Sequence, residues 1–193
     1  MKRIARAIAL CLFVSPAAAM AAPPVAVPVA SPAPSAPAGT FNDPAMAFTA
    51  PAGYLKLNVP PHDPANFEGS TVVAAFVKSP GKDEQRLITI SMENWDGFNL
   101  EGFEGTNENE LRGQVQSLFV SKKERTTLSN GMPAYWRVIS VGSGFQSEKW
   151  YEYAWIDGMR AVTLAIKARL GELDEKEARD ALSNATAVAY PRR

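Results

Sequence analysis

Few side chains in this sequence could carry covalent chemistry. His62 is the single histidine among 193 residues, and it lies in Pro61-His62-Asp63. There Asp63 could orient the imidazole toward a serine from elsewhere in the chain, as a hydrolytic triad requires. No G-x-S-x-G elbow accompanies it, because Gly142-Ser143-Gly144 has the wrong spacing. A plain loop histidine explains the residue equally well. Cys11 is the only cysteine, which excludes an intrachain disulfide and a cysteine-rich zinc site. Phosphate-loop and dinucleotide fingerprints are absent from the sequence.

The stretch from Glu93 to Glu110 is more suggestive. It holds Glu93, Asp96, Glu101, Glu104, Glu108 and Glu110 with no Lys or Arg, interleaved with Trp95, Phe98 and Phe103 and with Gly97, Gly102 and Gly105. Acids and aromatics on a long glycine-rich loop suit a partner-binding surface, with Trp95, Asp96, Phe98, Glu101 and Phe103 as its candidate contacts. Oxygen ligands for Ca²⁺ are a second reading, but the spacing of a calcium loop is missing, so neither a metal nor a cofactor is expected. A third reading has the aromatics covering the sheet while the acids stay in water. Paired carboxylates in a cleft could also serve a glycosidase, provided they stand roughly 5–10 Å apart.

Charge narrows the partners. Twenty Lys+Arg against 20 Asp+Glu give a net charge of zero, which argues against a general electrostatic grip on nucleic acid or anionic lipid. Lys122, Lys123 and Arg125 form a basic knot too small for a nucleic-acid stripe.

The start of the chain reads as an export signal. Lys2, Arg3 and Arg6 precede an apolar run from Ala7 to Val14, followed by small residues with Ala19 and Ala21 as the A-x-A pair. Residues 1–21 are therefore expected to be a signal peptide, with cleavage after Ala19 the runner-up, and the product is expected to be periplasmic or secreted. The apolar run is shorter than the roughly 20 residues a membrane span needs. Cys11 lies within it, after Leu10, and would be discarded with the signal. Residues 22–39 contain six prolines and no charge, the composition of an extended polyproline-like linker. The single folded domain is then expected over 40–193.

Within that domain, strands are expected at Tyr54–Leu57, Thr71–Lys78 and Arg86–Asn94. In the third, Ile88, Ile90 and Met92 alternate with Thr89, Ser91 and Glu93. A helix is expected to begin at Asn107 with Glu110 completing a capping box, and Leu111, Val115, Leu118 and Phe119 would form its apolar stripe. Further strands at Glu124–Ser129, Pro133–Val141, Gln146–Ile156 and Arg160–Lys167 are joined through Asn130-Gly131 and Asp157-Gly158. A second helix capped by Asp174 would carry Ala178, Ala181, Leu182, Ala185 and Val188 and stop at Pro191. The expectation is an α+β fold: a mostly antiparallel sheet of about six or seven strands flanked by two main helices.

Two segments carry a resemblance. Phe48-Thr-Ala-Pro51-Ala-Gly53-Tyr54 matches an F-x-x-P-x-G-[WY] opening, and Leu128-Ser-Asn-Gly131-Met-Pro133-Ala134 matches an l-x-x-G-x-P-a turn. With the paired strands through Asp157-Gly158 to Val162-Thr163-Leu164, the sequence resembles the PsbP-like/Mog-type fold over most of residues 45–188. These are turn and core residues, so the resemblance brings no catalytic residue with it. It implies a non-catalytic accessory or partner-binding role, as is typical of that superfamily, and a bacterial exported member of it. The expectation is thus a binding protein of the cell envelope that recognises a protein or envelope partner; the alternative is a small-ligand-binding or hydrolytic protein with a cleft beside the sheet.

Overall fold

The computed structural model describes residues 39–187 apart from 64–66, 68, 80–84, 98, 116, 145–146 and 159. The expected signal peptide, nearly all of the linker, Phe98, Val188 and Pro191 lie outside the described residues.

Among the described residues, ten strands and two helices follow in order: β1 (Thr40–Asp43), β2 (Met46–Thr49), β3 (Leu55–Lys56), β4 (Thr71–Lys78), β5 (Arg86–Asn94), α1 (Leu100–Gln114), β6 (Phe119–Thr127), β7 (Pro133–Val141), β8 (Glu148–Asp157), β9 (Arg160–Arg169), α2 (Glu175–Leu182) and β10 (Thr186–Ala187). Seven strands form one sheet in the order β3-β4-β5-β9-β8-β7-β6, and β1-β2-β10 form a smaller one. All pairings are antiparallel. Because β5 pairs with β9, the chain must leave β5 in mid-sheet and resume at the far edge, four strand spacings away, or about 19 Å. The segment carrying α1 makes that crossing, and β6 to β9 then meander back.

The alternation in β5 sets the two faces. Ile88, Ile90 and Met92 meet Phe76, Ala74, Val162, Leu164, Ile166, Tyr151, Trp155, Trp136 and Val138 in one continuous core, closed by Met46 and Phe48 of the small sheet and Ala178 and Leu182 of α2. The opposite face carries a second, much smaller apolar cluster of Phe103, Ala154 and Ala161 under α1.

The second helix begins where its cap requires, with the Asp174 carboxylate accepting from Glu177 N at 2.7 Å. It also ends early: Ser183 N bonds Asp180 O, and Ala185 is buried outside the helix just before β10. The first helix departs further from expectation. Asn99, not Asn107, caps it, accepting from Gly102 N at 2.6 Å. Its last residue is Gln114; Val115 is extended and Ser117 has φ 57°. The Leu111–Phe119 stripe therefore straddles a helix end and a strand start, and Phe119 is 65% exposed at the head of β6. Strands β1, β2 and β10 were not expected, whereas β4, β5 and β7 have the expected bounds.

One ion cluster ties the two sheets. Arg160, at the start of β9, reaches Asp43 and Asp157, each at 3.2 Å, and both carboxylates are almost wholly enclosed. Removing the cation would leave two buried charges uncompensated, which costs about 3–5 kcal/mol. Arg160→Met is expected to lower the urea midpoint accordingly. Adding Asp157→Asn should restore part of the loss; a single variant as stable as the parent would refute the tie.

Candidate functional site

The acidic stretch singled out in the sequence is the corner where β5 turns into α1. Only its first part is loop, since Glu101, Phe103 and Glu104 lie on the helix. The structure puts Phe103 at 1% exposure, packed against Ala154 and Ala161. Half-buried Trp95 meets it edge-on, with ring centroids 5.4 Å apart at 70°. Leu100 and Ile156 complete this plug. Asp96 and Glu101 are exposed beside it. The five candidate contacts thus divide by role: Phe103 anchors, Trp95 bridges core and surface, Asp96 and Glu101 face water, and Phe98 lies outside the described residues. Gly97 sits so close to the Trp95 indole that an added Cβ would stand 2.6 Å from its ring, so this turn needs glycine.

Beneath α1 the sheet face is polar. Arg137 on β7 is fully buried and ion-paired to Glu152 directly across on β8. Its Nη2 also donates to Asn107 Oδ1 of the helix at 2.6 Å. On the edge strand, Lys123 pairs with Glu104 at 2.7 Å and with Glu108 at 3.4 Å, and Arg125 pairs with Glu101. Hydrogen bonding to Glu104 raises the Lys123 ammonium pKa, and hydrogen bonding to Arg112 lowers that of Glu108. These acids hold α1 to β6 and are spoken for. Glu93 differs: burial, reinforced by the Glu110 charge, pushes its pKa up to about 7.

His62 stacks on Phe67 with centroids 5.6 Å apart, which gives the ring a packing role. Among the described residues no group of three or more His, Cys, Asp or Glu is placed to hold a metal ion. No helix among them is long and apolar enough to cross a membrane.

A second feature lies on the opposite face, beside α2. A cleft of about 240 Å³ is lined by residues including Pro51, Tyr54, Lys78, Arg86, Ala181 and Asn184. Arg86 is ion-paired to Glu177 and donates to Glu172 O at 2.8 Å. Asp180, also on the rim, pairs with Lys176 at 2.8 Å. The two carboxylates here are committed to ion pairs. Burial pushes the Tyr54 hydroxyl up to about 12.

Sequence reasoning passed over Arg137 and Glu152. The signal was present: a lone arginine inside the apolar run Ala134-Tyr-Trp-Arg137-Val-Ile-Ser140 marks a strand whose second face needs an acid.

A seven-stranded antiparallel sheet covered by a helix on each face is a PsbP-like α+β architecture. The fold is shared by cyanobacterial PsbP (CyanoP) from Synechocystis, whose solution structure matches with a TM-score of 0.53 and 13% identity, covering 83% of this chain and 98% of that one. No family model matches the sequence, and no curated protein matches it.

Two expectations concern stability. Glu93 titrates near 7 when folded and near 4.5 when not, so the folded state binds the extra proton and loses stability as pH rises across that window. The urea midpoint should therefore be higher at pH 5 than at pH 8, with Glu93→Gln removing on the order of 2 kcal/mol of that difference; an unaltered pH slope in the variant would contradict this. Arg137→Met should cost about 3–5 kcal/mol, and Arg137→Met with Glu152→Met should recover most of it, both read from chemical denaturation.

Proposed function

We propose that this protein is an exported, non-catalytic accessory or binding protein of the cell envelope, and that it recognises a protein partner through the β5–α1 corner. The observation that carries the reading is the division of labour there. Trp95 is held by Phe103 while Asp96 and Glu101 stand exposed around it. A rigid aromatic with charged neighbours is the arrangement of a recognition patch: ring and backbone are already ordered, so little entropy is lost on binding. The exposed charge next to the ring, Asp96, is acidic, which favours a basic surface on the partner, and Glu101 could join it by exchanging its exposed pair with Arg125. The PsbP-like fold is compatible with an accessory role, and residues 1–21 with periplasmic or secreted placement. A small-ligand or hydrolytic role would use the cleft beside α2. That cleft is smaller than the roughly 300–1,000 Å³ of ordinary ligand pockets, and Glu177 and Asp180 on its rim are engaged, so this reading stands second.

The protein recovered from a periplasmic fraction should begin at Ala22; an intact N-terminus in the cytoplasm would refute export. A photo-reactive residue at position 96 should yield one discrete adduct in living cells. Asp96→Lys, a change at an exposed position, should weaken binding of that adduct's partner about tenfold, or 1.4 kcal/mol, while leaving the urea midpoint unchanged. Undiminished binding by the Asp96→Lys and Glu101→Lys proteins would remove the corner from the mechanism.

A further inference from the structure

Charges that the fold leaves without an opposite partner are unevenly spread. Among the described residues, Lys78, Lys149, Lys167 and Arg169 have no ion pair, and all four lie toward one end of the large sheet. It is the end away from the β5–α1 corner: β9 starts at Arg160, opposite Asn94, and finishes at Arg169, while Lys149 is second in β8 and Lys78 last in β4. Two apolar side chains of the same end are exposed, Phe119 at 65% as the first residue of β6 and Leu170 at 58% just past β9. Phe119, Ser140, Lys149 and Ala168 are successive partners across β6 to β9. Phe119 thus stands two strand spacings, or about 10 Å, from Lys149. On the other side Leu170 N donates to Ser147 O at 2.9 Å, two residues further along each strand. Lys167 lies over the Trp150 ring, 4.0 Å from its centroid. The acids of this end are few. Glu148 is opposite Arg169 in register but accepts from Trp150 Nε1 at 2.8 Å, Glu172 lies beyond Leu170, and Glu177 is matched by Arg86.

The overall charge of zero conceals this asymmetry. The length of β9 separates the two ends by about 30 Å, whereas the Debye length at physiological ionic strength is about 8 Å. A charged surface approaching the Arg169 end therefore meets its cations and hardly senses Asp96 and Glu101. Cations beside exposed Phe and Leu side chains, with a half-buried Trp behind them, have the chemistry of interfacial attachment. Basic groups meet anionic headgroups while the apolar side chains enter the boundary below them. Phe119 and Leu170 do not line the α2 cleft. They stand apart on strand ends, which suits a laterally continuous surface better than a single side chain of a partner.

We propose that this end of the sheet docks on an anionic lipid surface, with Lys149, Arg169, Phe119 and Leu170 as its contacts. The ammonium and guanidinium groups pair with headgroup phosphates, and the two apolar side chains insert between headgroups on either side of Lys149. Lys78 and Lys167 add positive potential without needing direct contact. Docked in this way, the molecule holds Trp95 and Asp96 about a strand length from the bilayer, where a partner can reach them. The proposal is independent of the recognition role given to the β5–α1 corner, and either can fail while the other stands.

Co-sedimentation with vesicles tests this on the chain as isolated from its cells. The protein should bind vesicles containing phosphatidylglycerol and bind pure phosphatidylcholine far less. Salt at about 1 M, where the Debye length is about 3 Å, should release it. Lys149→Gln with Arg169→Gln should lower partitioning roughly 25-fold, about fivefold for each cation lost near the surface. Phe119→Ser with Leu170→Ser should lower it about tenfold. Asp96→Asn, which raises the overall charge at the far end, should leave it within about twofold. Urea midpoints equal to the parent's show that the variants are folded; should the Lys149 change lower the midpoint, Arg169→Gln alone carries the test with a loss of about fivefold. Failure to bind the anionic vesicles would overturn the proposal, and poly-glutamate shifting the Arg169 and Leu170 amide NMR signals would then assign this end to an acidic protein. Undiminished binding by the variants would overturn it as well, because attachment would then reside elsewhere in the chain.

Discussion

A buried guanidinium dictates how one face of the sheet can be covered. Arg137 lies wholly inside, and taking such a charge from water costs several kcal/mol unless it is paired and hydrogen-bonded. Glu152 supplies the opposite charge from the adjacent strand and Asn107 an acceptor from above. The element crossing from β5 to β6 must therefore present polar atoms downward at this point, and an apolar helix would not serve. Gly102, Gly105 and Gly113 fall within α1, each costing up to about 1 kcal/mol relative to alanine. Tertiary contacts must hold this helix: the Trp95–Phe103 plug at its start and the Lys123 and Arg125 pairs along one side.

The other face follows a different logic. There α2 and the small sheet close one large apolar core, and the charged residues sit around its margin. Arg179 lies over the Trp136 ring, 4.1 Å from its centroid, and pairs with Glu124 and Glu175. Glu175 accepts from Trp136 Nε1 as well. Burial would raise the Glu175 pKa, but its bonds from Lys122 and Arg179 outweigh this and lower it. Apolar burial contributes about 25 cal/mol per Å², so the α2 face holds most of the stabilising area and the α1 face rather little. Local opening is easiest where buried apolar contacts are few, which places the least protected part of the molecule in α1 beyond the Trp95–Phe103 plug that fixes its start.

This imbalance also explains which parts of the fold were legible in the sequence. Strand β5 was readable because one face is apolar throughout, and the start of α2 because Asp174 and Glu177 form a local signature that needs no distant partner. The bounds of α1 were not readable. Its true cap, Asn99, precedes a glycine-rich turn with weak helix propensity, whereas Asn107 and the Leu111–Phe119 spacing imitate a helix start and its stripe. Ser117 at φ 57° breaks that pattern, and nothing local to Ser117 announces it. Strands β1, β2 and β10 are short and hold each other in place across some 140 positions of chain, a pairing that local patterns do not encode. The same limit applied to the site. Composition located the acidic–aromatic stretch, but which aromatics turn inward depends on Ala154 on β8 and Ala161 on β9, small residues distant in the chain that leave room for Phe103.

The acidic corner and the buried carboxyls share one end of the sheet. Glu93 pairs with Ala161, Asn94 with Arg160, and Asp157 with Arg160 across the β8–β9 turn. Burial raises the carboxyl pKa of both Glu93 and Asp157, the latter to about 6 despite the opposing Arg160 charge. Asp43 adds further negative charge beside Asp157, and Arg160 pairs with both. Folding at this end therefore works against its own electrostatics and is sustained by packing elsewhere. Like charges so confined gain from any cation brought close to them. A cation brought close to Glu93 or Asp157 would therefore favour their charged forms and lower the pKa values that burial has raised.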